Sequence, residues 1–182
     1  HYSSSIYANN TINTLPNILK KNNYSSAFFH GAENGSMNFE SFTLMAGYEN
    51  YYGRNDYLDE GNEFVGNIWG IHDEQFYGYF LEKMNGMKEP FLTTFFSLSS
   101  HSPFVLPDKY KGQFEEGPLE VQKMVRYGDY SLKTFFEEAR KKPWFDNTLF
   151  VITADHCSLP YFDEYKPTAQ LFATPMILYK SD

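Results

Sequence analysis

The run Thr148-Leu149-Phe150-Val151-Ile152-Thr153 constrains this chain more than any other feature, because it leads directly into Asp155-His156. A short stretch dense in β-branched and aromatic residues reads as a buried strand. In an open α/β sheet, the residues after such a strand emerge at the carboxyl edge, where ligands bind. A carboxylate beside an imidazole at that edge is a donor pair for a divalent metal. Mixed oxygen and nitrogen donors suit Zn or Mn better than Ca. By itself the dipeptide is also an ordinary solvated loop, so its weight comes from the strand before it.

The rest of the chain alternates in the same way. Thr11 to Asn23 carries Ile12, Leu15, Ile18 and Leu19 at helical spacing, with Pro16 near the first turn, where a missing N–H is tolerated. Ser25 to Phe29 predicts a strand running into His30-Gly31. Ser36 to Ala46 predicts a helix capped by Ser36 and closed by Gly47. Tyr48 to Gly70, rich in glycine and asparagine, reads as a surface loop. Asp73 to Met84 predicts a helix with Asp73 as the simplest N-cap, and His72 in the loop before it.

Pro90 to Leu98 is an aromatic strand ending in Ser99-Ser100-His101. Leu119 to Lys142 holds the longest helical pattern, with Val121, Val125, Leu132, Phe135, Phe136 and Ala139 on one side. Trp144 to Asn147 turns into the Asp-His strand, and Pro175 to Tyr179 supplies the last one. This alternation predicts an α/β fold: a mostly parallel, mixed sheet with helices on both faces. The strands near Phe28, Phe95, Val151 and Ile177 should share that sheet.

Charge and composition exclude some partners. A net charge of −8 and a pI near 5.1 leave no basic patch to neutralise phosphates, which argues against nucleic acid. Aromatic residues at 19% suit a packed core rather than a disordered chain. The single cysteine, Cys157, excludes an internal disulfide and a Cys-based zinc knuckle. No stretch approaches the roughly 18 apolar residues of a membrane helix. The opening at His1 is polar and not a signal peptide, so the chain reads as a piece of a longer protein.

Three predicted strands run into histidines: His30, His101 and His156. If these strands are parallel, the three imidazoles gather at one edge. Each has a simpler reading beside this one. His30 can merely end a strand before Gly31, and His101 can be a turn residue satisfied by a nearby carbonyl.

The segment His30-Gly31-Ala32-Glu33-Asn34-Gly35-Ser36-Met37-Asn38-Phe39 is followed by Gly47-Tyr48 and Tyr51-Tyr52-Gly53-Arg54. Then come Trp69-Gly70-Ile71-His72-Asp73-Glu74, Ser99-Ser100-His101-Ser102-Pro103-Phe104 and Thr153-Ala154-Asp155-His156. In order and spacing, these motifs resemble the sulfatase-like extracellular domain of the lipoteichoic acid synthase family, in the alkaline phosphatase superfamily. The wording is similar to that of Bacteroidetes-type members.

The resemblance covers nearly the whole chain and implies the carboxyl-terminal part of one catalytic domain. It implies that Asp155 and His156 bind a divalent metal, Mn or Zn first, with Mg or Ca as further options. It implies that His101 is catalytic and contacts the substrate phosphoryl group, and that His30 is a second substrate-binding histidine. The nucleophile, a threonine in this family, and one more acidic metal ligand would lie upstream of residue 1. The family is anchored by an amino-terminal bundle of membrane helices, with the catalytic domain on the outer, periplasmic side. Its partners are envelope lipids or glycans bearing a phosphoryl or sulfate ester.

The expected activity is therefore metal-dependent phosphoryl-group transfer in the cell envelope. Chemically this needs an activated alkoxide and a neutraliser of charge on the phosphoryl oxygens. This sequence departs from the family where phosphatidylglycerol-using synthases carry an acidic residue, a tryptophan and an arginine. Those places hold Ala32, Met37 and Phe39, with Glu33 and Arg54 as candidate substitutes. No histidine follows His156, unlike the phosphoethanolamine-transferase branch. Two alternatives stay open: a sulfate or phosphate ester hydrolase, and a catalytically degenerate envelope-binding module. The upstream sequence, absent here, would discriminate them by its nucleophile. On this reading residues 1–182 alone are inactive.

Overall fold

Strand β1, Ser25–His30, is the hub of the fold, because both of its faces carry side chains that end up buried. The computed structural model describes residues 5–7, 10, 12–158, 160–167, 169 and 173–181. On one side β1 pairs in parallel with β2, Asn50–Tyr52, and on the other with β3, Phe91–Phe96. The sheet order is β2-β1-β3.

Strand alternation sends Ala27 and Phe29 to one layer and Ser26, Phe28 and His30 to the other. The first layer is built by α4, Asp73–Asn85, and α5, Val121–Ala139, which pack on each other. Phe80 meets Phe29 edge-on at 4.8 Å between ring centroids, Tyr77 stacks on Phe95 at 4.0 Å, and Phe135 stacks on Phe80 at 5.4 Å. On α5 the buried stripe is Met124, Tyr127, Ser131, Phe135 and Ala139, the three- and four-residue spacing of a helix face. The stripe is rotated from the expected one, and Val125 is exposed.

The opposite layer is formed by α1, Leu15–Lys20, and α2, Phe39–Met45. Phe39 packs against Phe28 and Phe96, and the Thr14 hydroxyl joins α1 to α2 by donating to the Ala46 carbonyl. Helices thus cover both faces of a parallel sheet, the α/β architecture that the alternation predicts.

The remaining strands stand apart. β4, Phe150–Thr153, pairs antiparallel with β5, Met176–Tyr179, in a separate two-stranded sheet. The expectation that Phe28, Phe95, Val151 and Ile177 share one sheet is therefore corrected: the first two lie in one sheet, the last two in another. The physical link is α5. Phe135 packs in the layer over β1 and β3, while Phe136 packs on Phe150 and Tyr179. One helix covers both sheets without any pairing between β3 and β4 among the described residues.

Four local readings also change. The presumed loop from Tyr48 to Gly70 contains β2 and the helix α3, Arg54–Asp59. The second helix begins at Phe39 rather than Ser36, because Met37 (φ 49°) and Asn38 (φ 63°) are left-handed and break the helical path. The first helix is only six residues long, capped by Thr14, and its expected start at Thr11 lies outside the described residues. At α4 the cap position is His72, and the Asp73 side chain points elsewhere.

Candidate functional site

β1 and β3 are parallel and register His30 opposite Phe96, so both strands leave the sheet at the same edge. His30 is the last residue of β1 and is 2% exposed. Its ring lies 4.4 Å from Phe39 and 5.1 Å from Phe96, and its Nδ1–H donates to the Phe96 carbonyl at 3.2 Å. Burial holds its pKa below the ordinary 6.5, partly opposed by that hydrogen bond. The sequence placed His30 correctly at the strand exit; its burial comes from α2 folding over it.

His101 lies on the same edge, in the loop that leaves β3, and is exposed. Its Nδ1–H donates to the Ser102 carbonyl at 2.9 Å, and its ring rests 4.2 Å from the Trp69 ring. The Trp69 indole N–H donates to the same Ser102 carbonyl at 2.5 Å.

Trp69 belongs to a segment that crosses this edge and is bonded to the exits of both strands. Ile71 donates to the Gly31 carbonyl at 3.0 Å, and Ala32 and Gly70 form an antiparallel bridge. The approach is close enough that a Cβ on Gly70 would fall 2.2 Å from the Gly31 oxygen, which only glycine permits. At its far end, Asp73 accepts from the backbone N–H of Leu98 at 2.8 Å and of Ser99 at 3.1 Å. Sequence reasoning read Asp73 as a simple helix N-cap, with His72 in the loop before it, and met Trp69 only as part of the family motif. The signal available was a carboxylate two residues after an apolar Trp-Gly-Ile, but its partners lie about 25 residues downstream, as in the hydrogen bond from Leu98.

Asp155 and His156 follow β4, in the two-stranded sheet. Both side chains are more than half exposed, and Asp155 Oδ2 lies 3.3 Å from His156 Nε2. His156 Nδ1–H donates to the Cys157 carbonyl at 2.8 Å, and Nε2 faces its neighbour's carboxylate. A carbonyl acceptor on one ring nitrogen is the usual way a metal-binding imidazole is fixed in tautomer and orientation. The donor chemistry therefore fits a divalent ion. Among the described residues no third histidine, cysteine or carboxylate joins the pair. The sheet brings His30 and the His101 loop to one edge, while Asp155-His156 stand at the end of a strand outside that sheet.

Of the residues that depart from the family pattern, Ala32 and Phe39 have structural duties and Met37 faces solvent. Ala32 is 2% exposed in the bridge to Gly70, Phe39 walls His30, and Met37 is 69% exposed. Glu33 and Arg54, the candidate substitutes, form an ion pair with each other at 2.8 Å.

Comparison with known proteins agrees with this architecture. The sulfatase family model matches residues 1–182. Lipoteichoic acid synthase 2 of Bacillus subtilis (strain 168) is 29% identical over 154 residues, which is 82% of this chain and 23% of that protein. A protein in the alkaline phosphatase superfamily from Vibrio parahaemolyticus superposes with a TM-score of 0.80 at 27% identity, covering 94% of this chain and 42% of that one. The lipoteichoic acid synthase LtaP from Listeria monocytogenes superposes with a TM-score of 0.81 at 22% identity, covering 99% of this chain and 49% of that one. The chain thus spans less than half the length of these relatives.

Proposed function

The chain belongs to the sulfatase family, and on that premise we propose that it is the carboxyl-terminal part of a metal-dependent phosphoryl-group transferase of the cell envelope. The observation that carries this reading is the Asp155-His156 pair itself. Its imidazole is locked by a carbonyl on Nδ1 and presents Nε2 beside a carboxylate, on a chain whose relatives include lipoteichoic acid synthases.

In the complete protein Asp155 and His156 would hold a divalent ion, Mn or Zn by donor type, with further ligands from outside these residues. When bound, such an ion supplies Lewis-acid polarisation and lowers the pKa of the attacking hydroxyl. The nucleophile is read as a threonine upstream. His101, exposed at the sheet edge with Nδ1 engaged by Ser102, offers Nε2 to a phosphoryl oxygen or to the departing alkoxide. His30 lines the same edge from a buried position, orienting substrate through Nε2 while Nδ1 is held by Phe96.

The substrate is an envelope lipid or glycan ester, met on the outer side of the membrane to which an amino-terminal helix bundle would anchor the domain. No described helix is long and apolar enough to cross a membrane. A glycerol-phosphate grip built as in phosphatidylglycerol-using synthases is not expected, given Ala32, Met37 and Phe39 at its positions.

The test is turnover by the full-length protein of a phosphodiester (bis-p-nitrophenyl phosphate) against an aryl sulfate, with and without chelator. Metal-dependent phosphodiester cleavage supports the reading. Preference for the sulfate ester would replace it with the hydrolase alternative. Absence of both activities with metal bound would leave a degenerate envelope-binding module.

A further inference from the structure

The segment from Trp69 to Asp73 is held far more firmly than a connecting loop requires. Asp73 is 4% exposed and Ser99 is 1% exposed, and they grip each other in both directions. The Asp73 carboxylate accepts from the Leu98 and Ser99 N–H groups, at 2.8 and 3.1 Å, and the Asp73 N–H donates to Ser99 Oγ at 2.9 Å. Burying a carboxylate is costly unless it is hydrogen-bonded, so a buried acid spent on two backbone amides fixes those amides in place.

What those amides carry is the His101 turn. The His101 N–H donates to the Leu98 carbonyl at 3.0 Å, and Phe104 N–H donates to the His101 carbonyl at 3.3 Å. At the other end of the segment Trp69 touches the imidazole itself, at 4.2 Å between centroids. The Trp69 indole and His101 Nδ1 share one acceptor, the Ser102 carbonyl. One segment, anchored on Gly31, therefore holds the backbone of the His101 turn and packs against its ring, while the adjacent Ser102 carbonyl holds Nδ1–H.

We infer that Asp73 and Trp69 are positioning residues for His101: the Asp73–Ser99 clasp sets where its turn lies, and Trp69 sets which way its ring faces. The inference rests on the role given to His101 under the proposed function. Neither residue touches substrate; both act through the imidazole. Misplacing a reacting group by an ångström costs as much as about 10²-fold in rate.

The experiment is a double-mutant cycle in the full-length, metal-loaded protein with bis-p-nitrophenyl phosphate as probe. D73N keeps the shape but sets an amide N–H against a backbone donor, and W69F keeps the ring but loses the bond to Ser102. Each should lower kcat by about 10- to 10²-fold with KM and bound metal nearly unchanged. In an H101A background, each should cost less than about twofold more, because residues acting through one group do not add.

Losses that multiply in the double variants would overturn the inference, as would a W69F protein with unchanged kcat. If D73N fails to fold, the W69F cycle decides alone. H101A with full turnover would remove the functional reading, and the positioning role with it. The clasp itself is then still read separately, by faster amide exchange at Leu98, Ser99 and His101 in D73N.

Discussion

The smaller sheet of this molecule, Phe150–Thr153 and Met176–Tyr179, is the more aliphatic in sequence and yet the less buried. In β1, Ala27 and Phe29 are fully buried and Phe28 is 8% exposed. In the other sheet Val151 is 55% exposed, Leu178 64% and Met176 70%. Register pairs Val151 with Leu178 and Thr153 with Met176, so these side chains share one face, and alternation adds Leu149 at 59% exposed. On the reverse face Phe150 and Tyr179 pack against Phe136 and Phe145, while Ile177 at its far end is 53% exposed. A strand pattern thus becomes core only where a second layer exists. Among the described residues, β1 has a layer on both faces, whereas β4 and β5 have one only. The solved structures that share this fold are longer, this chain covering 42% and 49% of them.

The contrast extends to chemistry, with the Asp155-His156 pair proposed to hold a metal after β4 and the histidines on the edge of the larger sheet. The largest expected effect separates these halves. In the full-length protein Asp155→Ala or His156→Ala should abolish turnover and metal binding together, since each removes a ligand. Metal analysis beside kinetics checks this, and a variant that keeps its metal and loses only rate would reverse the assignment.

Next comes stability. Phe29→Ala should cost about 3–5 kcal/mol in denaturant unfolding, because it empties a site buried on all sides. Leu178→Ala should cost less than about 0.5 kcal/mol in the 182-residue chain, where its side chain faces solvent. In the full-length protein the same change should cost about 2–5 kcal/mol if a further layer covers it. Equal, small costs in both lengths would break the comparison.

His101→Ala should lower turnover by about 10²–10³, or roughly 2.7–4 kcal/mol, and leave metal content nearly unchanged. Loss of metal as complete as in His156→Ala would make His101 a ligand instead.

The smallest effect is on pH dependence. His30 and His72 are both held below the ordinary 6.5 by burial. The unfolded chain therefore takes up their protons first, and stability is lost as pH falls through 6.5 toward the folded values. The slope is at most about 1.4 kcal/mol per pH unit for each histidine. Urea midpoints at pH 7.5 and 5.5 should show the decline; a flat profile would mean that both rings are solvated.

The strands at β1, β3, β4 and β5 and the long helix α5 were legible because their periodicity is strong over local windows. β2 was not, since Asn50-Tyr51-Tyr52 is too short to show a period and sits among glycines and asparagines. The start of α2 was misread because Ser36 looks like a cap, while the left-handed backbone at Met37 and Asn38 leaves no composition signal. At the site, the histidines and the Asp-His pair were visible as residue types at strand ends. The use of Asp73 was not: as the first residue of a helix it resembles any N-terminal acid, and only packing aims its carboxylate at Leu98 and Ser99.

The sequence by itself determined the chemistry on offer and the stronger local periods: the runs that form β1, β3, β4 and β5, the helical period of α5, and that a carboxylate and an imidazole follow β4. Those properties depend on neighbours within a few residues. Tertiary structure alone decided that His30 is buried while His101 is exposed, that Asp73 grips the β3 exit, and that the strands divide between two sheets. Each of these depends on which distant layer covers a surface, and that is set by the summed packing of the whole fold rather than by any window of the chain.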